Sequence, residues 1–96
     1  MENQERIRRV VKMEALMDQT LAAATSLSLA IENWEAAAPG LKALREYYGG
    51  PLWREDFEAD EAGELPKELK RGVLSEDGLY DLLTWADALD GVVFPE

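Results

Sequence analysis

The sequence predicts an all-α protein, with a long N-terminal helix packed against two to three shorter helices as an antiparallel helical bundle. Three observations carry that expectation. Apolar residues recur with helical period through the first third of the chain. Alanine, the strongest helix former, is abundant in the same stretch. Glycine and proline then fall at a few places that divide the remainder into short helical pieces.

Between about Glu5 and Ala37 there is neither Gly nor Pro. Val10, Met13, Met17, Thr20, Ala24, Leu27, Ile31, Trp34 and Ala38 follow one another in alternating steps of three and four, so they share one stripe. Ile7, Leu16 and Leu21 widen that stripe to the breadth of a core-facing surface. Ala15, Ala22, Ala23, Ala30, Ala36 and Ala37 favour the helix and let a neighbour approach closely. Pro39-Gly40 ends the element, because the proline pushes Ala38 away from helical angles. Such a helix is about 48 Å long, whereas a compact chain of this size has a radius of gyration of only about 12–13 Å. It needs either lengthwise cover from the rest of the chain or a second copy over its ends.

A second helix is expected over Leu41–Tyr48, broken by Gly49-Gly50. Pro51 suits the first position of a third, which carries Leu52, Trp53 and Phe57 and ends near Asp60. Glu61 to Leu65 reads as loop, and Pro66 to Arg71 as one further turn closed by Gly72. Ser75 is a good N-cap for the last helix, with Glu76 and Asp77 favouring its start electrostatically. Gly78 stands where a capping box wants Glu or Gln, so that reciprocal bond is missing. Leu79, Leu82, Leu83, Ala86 and Leu89 form the apolar face. Asp90-Gly91 is expected to stop the helix and leave Val92-Val93-Phe94-Pro95-Glu96 as an extended tail.

Composition narrows the function. The 96 residues fit a single helical domain, 1–96, and an apolar content of 47% supplies a core. The net charge of −10 repels phosphate backbones and argues against nucleic-acid binding. It is unevenly spread: Arg6, Arg8, Arg9 and Lys12 make a basic start, and Glu55, Asp56, Glu58, Asp60, Glu61 and Glu64 form an acidic block with no base between Glu55 and Glu64. With no Cys and no His, disulfides, thiolate nucleophiles, imidazole proton transfer and structural zinc are out of reach. No run reaches the roughly 18 apolar residues of a membrane span, so no membrane association is expected, and the cytoplasm is the expected location.

Tyr47-Tyr48-Gly49, Trp53, Asp56-Phe57-Glu58, Asp60-Glu61-Ala62-Gly63 and Leu65-Pro66 stand before a longer run. That run goes from Leu69-Lys70-Arg71-Gly72-Val73-Leu74-Ser75-Glu76-Asp77 to Leu79-Tyr80-Asp81-Leu82-Leu83. With Arg6-Ile7 and Met13-Glu14 near the start, these residues resemble a bacterial domain-of-unknown-function family of small helical proteins with a long first helix. Gly78 departs from that pattern, which has a better helix former there. The resemblance implies an all-α fold and a cytoplasmic bacterial origin, and it carries no activity.

Few side-chain groupings suggest chemistry. Asp56, Glu58 and Asp60 alternate like the first ligands of a calcium loop, yet Glu61 replaces the turn glycine and Lys67 the closing Glu. The block reads instead as a solvated helix end pairing with Arg54, Lys67, Lys70 and Arg71. Asp77 and Asp81 flank Tyr80 at helical spacing; Asp77 supports the helix start, and Asp81 is expected to accept from the Lys70-Arg71 turn. Gly49-Gly50 lacks the spacing and the Lys of a phosphate loop. Tyr47, Tyr48, Trp53, Phe57, Trp34, Tyr80 and Trp85 could line a pocket or partner groove, but Trp34, Trp53 and Phe57 read as core, while Tyr48 and Trp85 stand nearer the stripe's edge.

No catalytic, cofactor-binding or metal residue is therefore assigned. The expected protein is a non-enzymatic interaction or regulatory module, with a protein partner or a second copy meeting helix 1. Its candidate interaction surface comprises Tyr48, Trp53, Asp56, Asp60, Glu61, Tyr80 and Trp85. The alternative is a small metal- or ligand-binding domain using residues 55–64.

Overall fold

A computed structural model describes residues 2–95; Glu96, the end of the expected tail, lies outside the described residues. Among them the regular structure is entirely helical: α1 (Glu2–Ala36), α2 (Ala38–Gly49), α3 (Pro51–Glu61), a 3₁₀ turn (Gly72–Leu74) and α4 (Glu76–Val93). The all-α class holds, with the long first helix and three shorter ones. The chain divides into two compact units, the first ending at Ala36 and the second starting at Ala37.

The first unit is α1, about 52 Å long for its 35 residues. A single helix has no core of its own, and its side chains from Asn3 to Ala30 are exposed, with Ile31 and Trp34 half-buried. The hydroxyls of Thr20 and Thr25 donate to the carbonyls of Leu16 and Leu21, each at 2.8 Å. Both polar groups are thus satisfied four residues back on the same helix.

The second unit carries the core. Trp53, Leu74, Leu79 and Leu83 are buried together, and Leu41, Leu44, Tyr47, Tyr48, Phe57 and Leu65 pack against them. Ala86 lies buried on the same stripe of α4. Tyr48 meets the Trp53 indole edge-on at 5.0 Å, and Phe57 stacks on it at 5.2 Å. The indole N–H donates to the Val73 carbonyl at 2.8 Å, which ties α3 to the 3₁₀ turn.

Three boundaries differ from the sequence reading. The break between α1 and α2 falls at Ala37, so Pro39 and Gly40 sit inside α2. A proline in a first turn forfeits no intrahelical bond, and here it opens a helix as well as following one. Gly72 does not close a turn; it begins the 3₁₀ segment, whose Leu74 is core. Lastly, α4 runs past Asp90-Gly91 to Val93, and the Phe94 N–H donates to the Asp90 carbonyl at 2.8 Å. The residues assigned to the start of an extended tail are helical.

Two glycines answer specific demands. A Cβ on Gly50 would lie 3.0 Å from the Glu46 carbonyl oxygen, so a side chain there would force the turn from α2 into α3 to open slightly. Gly63 has φ of 75°, the left-handed conformation. Its N–H donates to the Asp60 carbonyl while the Glu64 N–H reaches back to Ala59, closing α3 with a Schellman motif.

Candidate functional site

The acidic block begins on α3 and ends in the loop after it. Asp56 accepts a hydrogen bond from the Tyr47 hydroxyl at 2.6 Å, fastening α3 to α2. Partial burial, this bond and the neighbouring negative charge together push the Tyr47 phenol up to about 12. Asp60 pairs with the Arg71 guanidinium, which also donates to the carbonyls of Pro66 and Leu69. One arginine thus clips the loop between α3 and the 3₁₀ turn onto the end of α3. The expected bond from the Lys70-Arg71 turn to Asp81 is not made, because Arg71 is held by Asp60 and the loop carbonyls; Asp81 is exposed. Of the four bases expected to balance the block, Arg71 does so, while Arg54, Lys67 and Lys70 form no ion pair among the described residues.

Glu55, Glu58 and Glu64 line an open hollow of about 370 Å³ with Ala59 and Ala62. Among the described residues no group of three or more carboxylates converges in a metal-ligand arrangement. Glu61 ends α3, exposed to solvent.

The remaining members of the candidate surface are scattered by the fold. Trp53 is in the core, and Tyr48 is half-buried against it. Tyr80 (57% exposed) and Trp85 (63%) both project from α4, but five positions apart they point in different directions. Trp85 finds company that the sequence reading did not give it. Leu82 and Val92, three positions before and seven after, share its side of α4 and are also exposed, Val92 to 77%. Extending the helix through Gly91 is the signal that would have found Val92. The ion pair between Arg45 and Asp87, at 2.6 Å, links α2 to α4 at the surface.

Ser75 caps α4 by accepting from the Gly78 N–H at 3.2 Å, as its side-chain type predicts. A Cβ at Gly78 would approach the Ser75 Cβ and Oγ to 3.2 Å, so the glycine that departs from the expected pattern leaves room for this cap.

Fold and surface together define a small helical protein in which Asp56 and Asp60 of α3 are engaged in internal bonds and some apolar side chains are left outward. The chain belongs to the family described as Domain of unknown function (DUF4298), whose model matches residues 10–90. This agrees with the resemblance to a family of small helical proteins of unknown function. Neither the curated proteins nor the solved structures contain a match. Among the described residues no helix is long and apolar enough to cross a membrane.

Proposed function

We propose that the protein is a non-enzymatic interaction or regulatory module of the cytoplasm, binding other proteins through helix faces that its own core leaves uncovered. The observation that carries this reading is the exposed apolar surface. Ile7, Val10, Met13, Leu16, Met17, Leu21 and Leu27 are exposed along α1, and Leu82, Trp85 and Val92 along α4. Isolated exposed apolar residues are ordinary, whereas aligned sets mark contact surfaces. A chain without His or Cys favours the same reading, since proton transfer and nucleophilic attack would fall to carboxylates, Lys and Tyr alone. The strongly negative charge makes nucleic acid a poor partner.

Affinity purification from the producing cell tests this, with wild-type bait beside two variants: Met17→Glu/Leu27→Glu on α1 and Leu82→Ser/Trp85→Ser on α4. The expected result is a partner lost with one variant although that variant melts like the wild type. Recovery of the same proteins by all three baits would overturn the reading.

A further inference from the structure

We propose that α1 pairs along its length with α1 of a second copy, the two helices running antiparallel. This rests on the interaction reading above and names the occupant of one of its faces.

The pattern on α1 is that of a heptad. Val10, Met17, Ala24 and Ile31 recur at one core position, and Met13, Thr20, Leu27 and Trp34 at the other. Leu16 and Leu21 flank the seam. The central members are open to solvent, from 44% for Leu16 to 63% for Leu27. The one hydroxyl in the middle of the seam, on Thr20, is already bonded to the Leu16 carbonyl, so covering it strands no donor. The alanines at positions 23 and 24 let a second backbone come close. Helices in proteins draw most of their stability from packing an apolar face, and a 35-residue helix whose face is open from Ile7 to Leu27, with only Ile31 and Trp34 half-buried beyond, calls for a partner along that stretch.

Size and charge select the occupant. Seven exposed apolar side chains, from Ile7 to Leu27, offer roughly 80–100 Å² each, so that with the small residues between them the face approaches the ~800 Å² per partner of a standard interface. The ends of α1 differ in sign: Arg6, Arg8, Arg9 and Lys12 outweigh Glu2 and Glu5 near the start, while Glu32 and Glu35 stand near the finish. A parallel pair stacks four cations on four cations. An antiparallel pair sets each basic end beside the acidic end of its neighbour, within the screening length of about 8–10 Å, and opposes the two helix dipoles. With Lys12 level with the partner's Glu32, Met13 falls level with the partner's Ile31, Met17 with the partner's Leu27, and Thr20 with the partner's Ala24. Each core layer then holds residues from both core positions.

The full-length chain, free of native cysteine, suits site-directed spin labelling. Sedimentation equilibrium across micromolar concentrations is expected to give a dimer, and Met17→Glu/Leu27→Glu to weaken it at least tenfold while the core around Trp53 melts unchanged. Ala22 is level with the partner's Ala22 but on the face away from the seam, so labels at Ala22→Cys are expected roughly 20 Å apart, the 8–10 Å between axes plus about one helix diameter. Labels at Gln4→Cys are expected some 36 residues of helical rise apart, roughly 54 Å. Short distances at both sites would mean a parallel pair and overturn the antiparallel arrangement, leaving the interaction reading in place. A strict monomer would overturn the pairing altogether; the bait comparison above would then decide the interaction reading separately. Binding of a monomeric chain to anionic vesicles through the same face would assign it to a lipid surface and overturn the proposal too.

Discussion

Replacing Trp53 by Phe probes the join on which the second unit depends. The substitution removes the indole N–H that reaches the Val73 carbonyl at 2.8 Å and the larger ring that packs between Tyr48 and Phe57. The lost hydrogen bond is part-buried and is worth about 1 kcal/mol. The smaller ring leaves a void in the core worth about 1 kcal/mol more. A total of about 2 kcal/mol is large against the roughly 3–9 kcal/mol expected for a unit of this size. It corresponds to a fall in Tm of roughly 8–16 °C. Thermal unfolding followed by circular dichroism reads this directly. Trp85→Phe, on the exposed side of α4, is the control and is expected to change stability by no more than about 0.5 kcal/mol. Equal shifts for the two variants would refute the reasoning, because they would mean that Trp53 does not join α3 to the 3₁₀ turn.

The remaining expectations concern local features. Tyr47 should ionise near 12 in an ultraviolet titration, and Asp56→Asn should bring its midpoint down, since the carboxylate both accepts the phenolic proton's bond and repels the phenolate. Because the folded state holds that proton more tightly than the unfolded chain, the stabilisation is intact below pH 10 and is lost as pH rises towards about 12. Ser75→Ala should cost about 1 kcal/mol by uncapping α4, and Gly78→Ala should fail to deliver the usual gain of about 0.5–1 kcal/mol, its methyl crowding the same serine; both are read from Tm. Gly91→Ala, with nothing within 4 Å of the new methyl, should stabilise α4 by about 0.5–1 kcal/mol; a loss of stability instead would mean that the helix ends there.

The contrast between Ser75 and Gly91 shows what was legible in one dimension. Ser75 acts on the N–H three residues ahead, and α1 declares itself through its own period, so both could be read locally. Gly91 could not. A glycine within a helix costs about 1 kcal/mol relative to alanine, and that penalty alone suggests a stop after Asp90. What offsets it is tertiary: Val93, beyond the glycine, is half-buried, and with it the helical bond from Phe94 to Asp90 is kept. Pro39 was misplaced for a related reason. Its ring forbids the interior of a helix and suits the first turn, and only the location of the break at Ala37 decides which side of it the proline occupies.

The candidate surface was less legible because a carboxylate's availability depends on distant partners. Asp56 is satisfied from nine residues away, Asp60 from eleven, and the Trp53 indole from twenty. No spacing rule links these pairs. Once they are known, the Tyr47–Leu83 motif acquires a physical meaning. Tyr47 and Asp56 join α2 to α3, Asp60 and Arg71 clip the loop, Gly63 ends α3, and Trp53 reaches Val73. These residues hold the second unit together, so this stretch of the chain builds a scaffold. A binding function then has to use side chains the scaffold does not consume. The apolar side chains of α1 from Val10 to Leu27 and the Leu82–Trp85–Val92 side of α4 are of that kind, because they are exposed and pack no part of the core around Trp53.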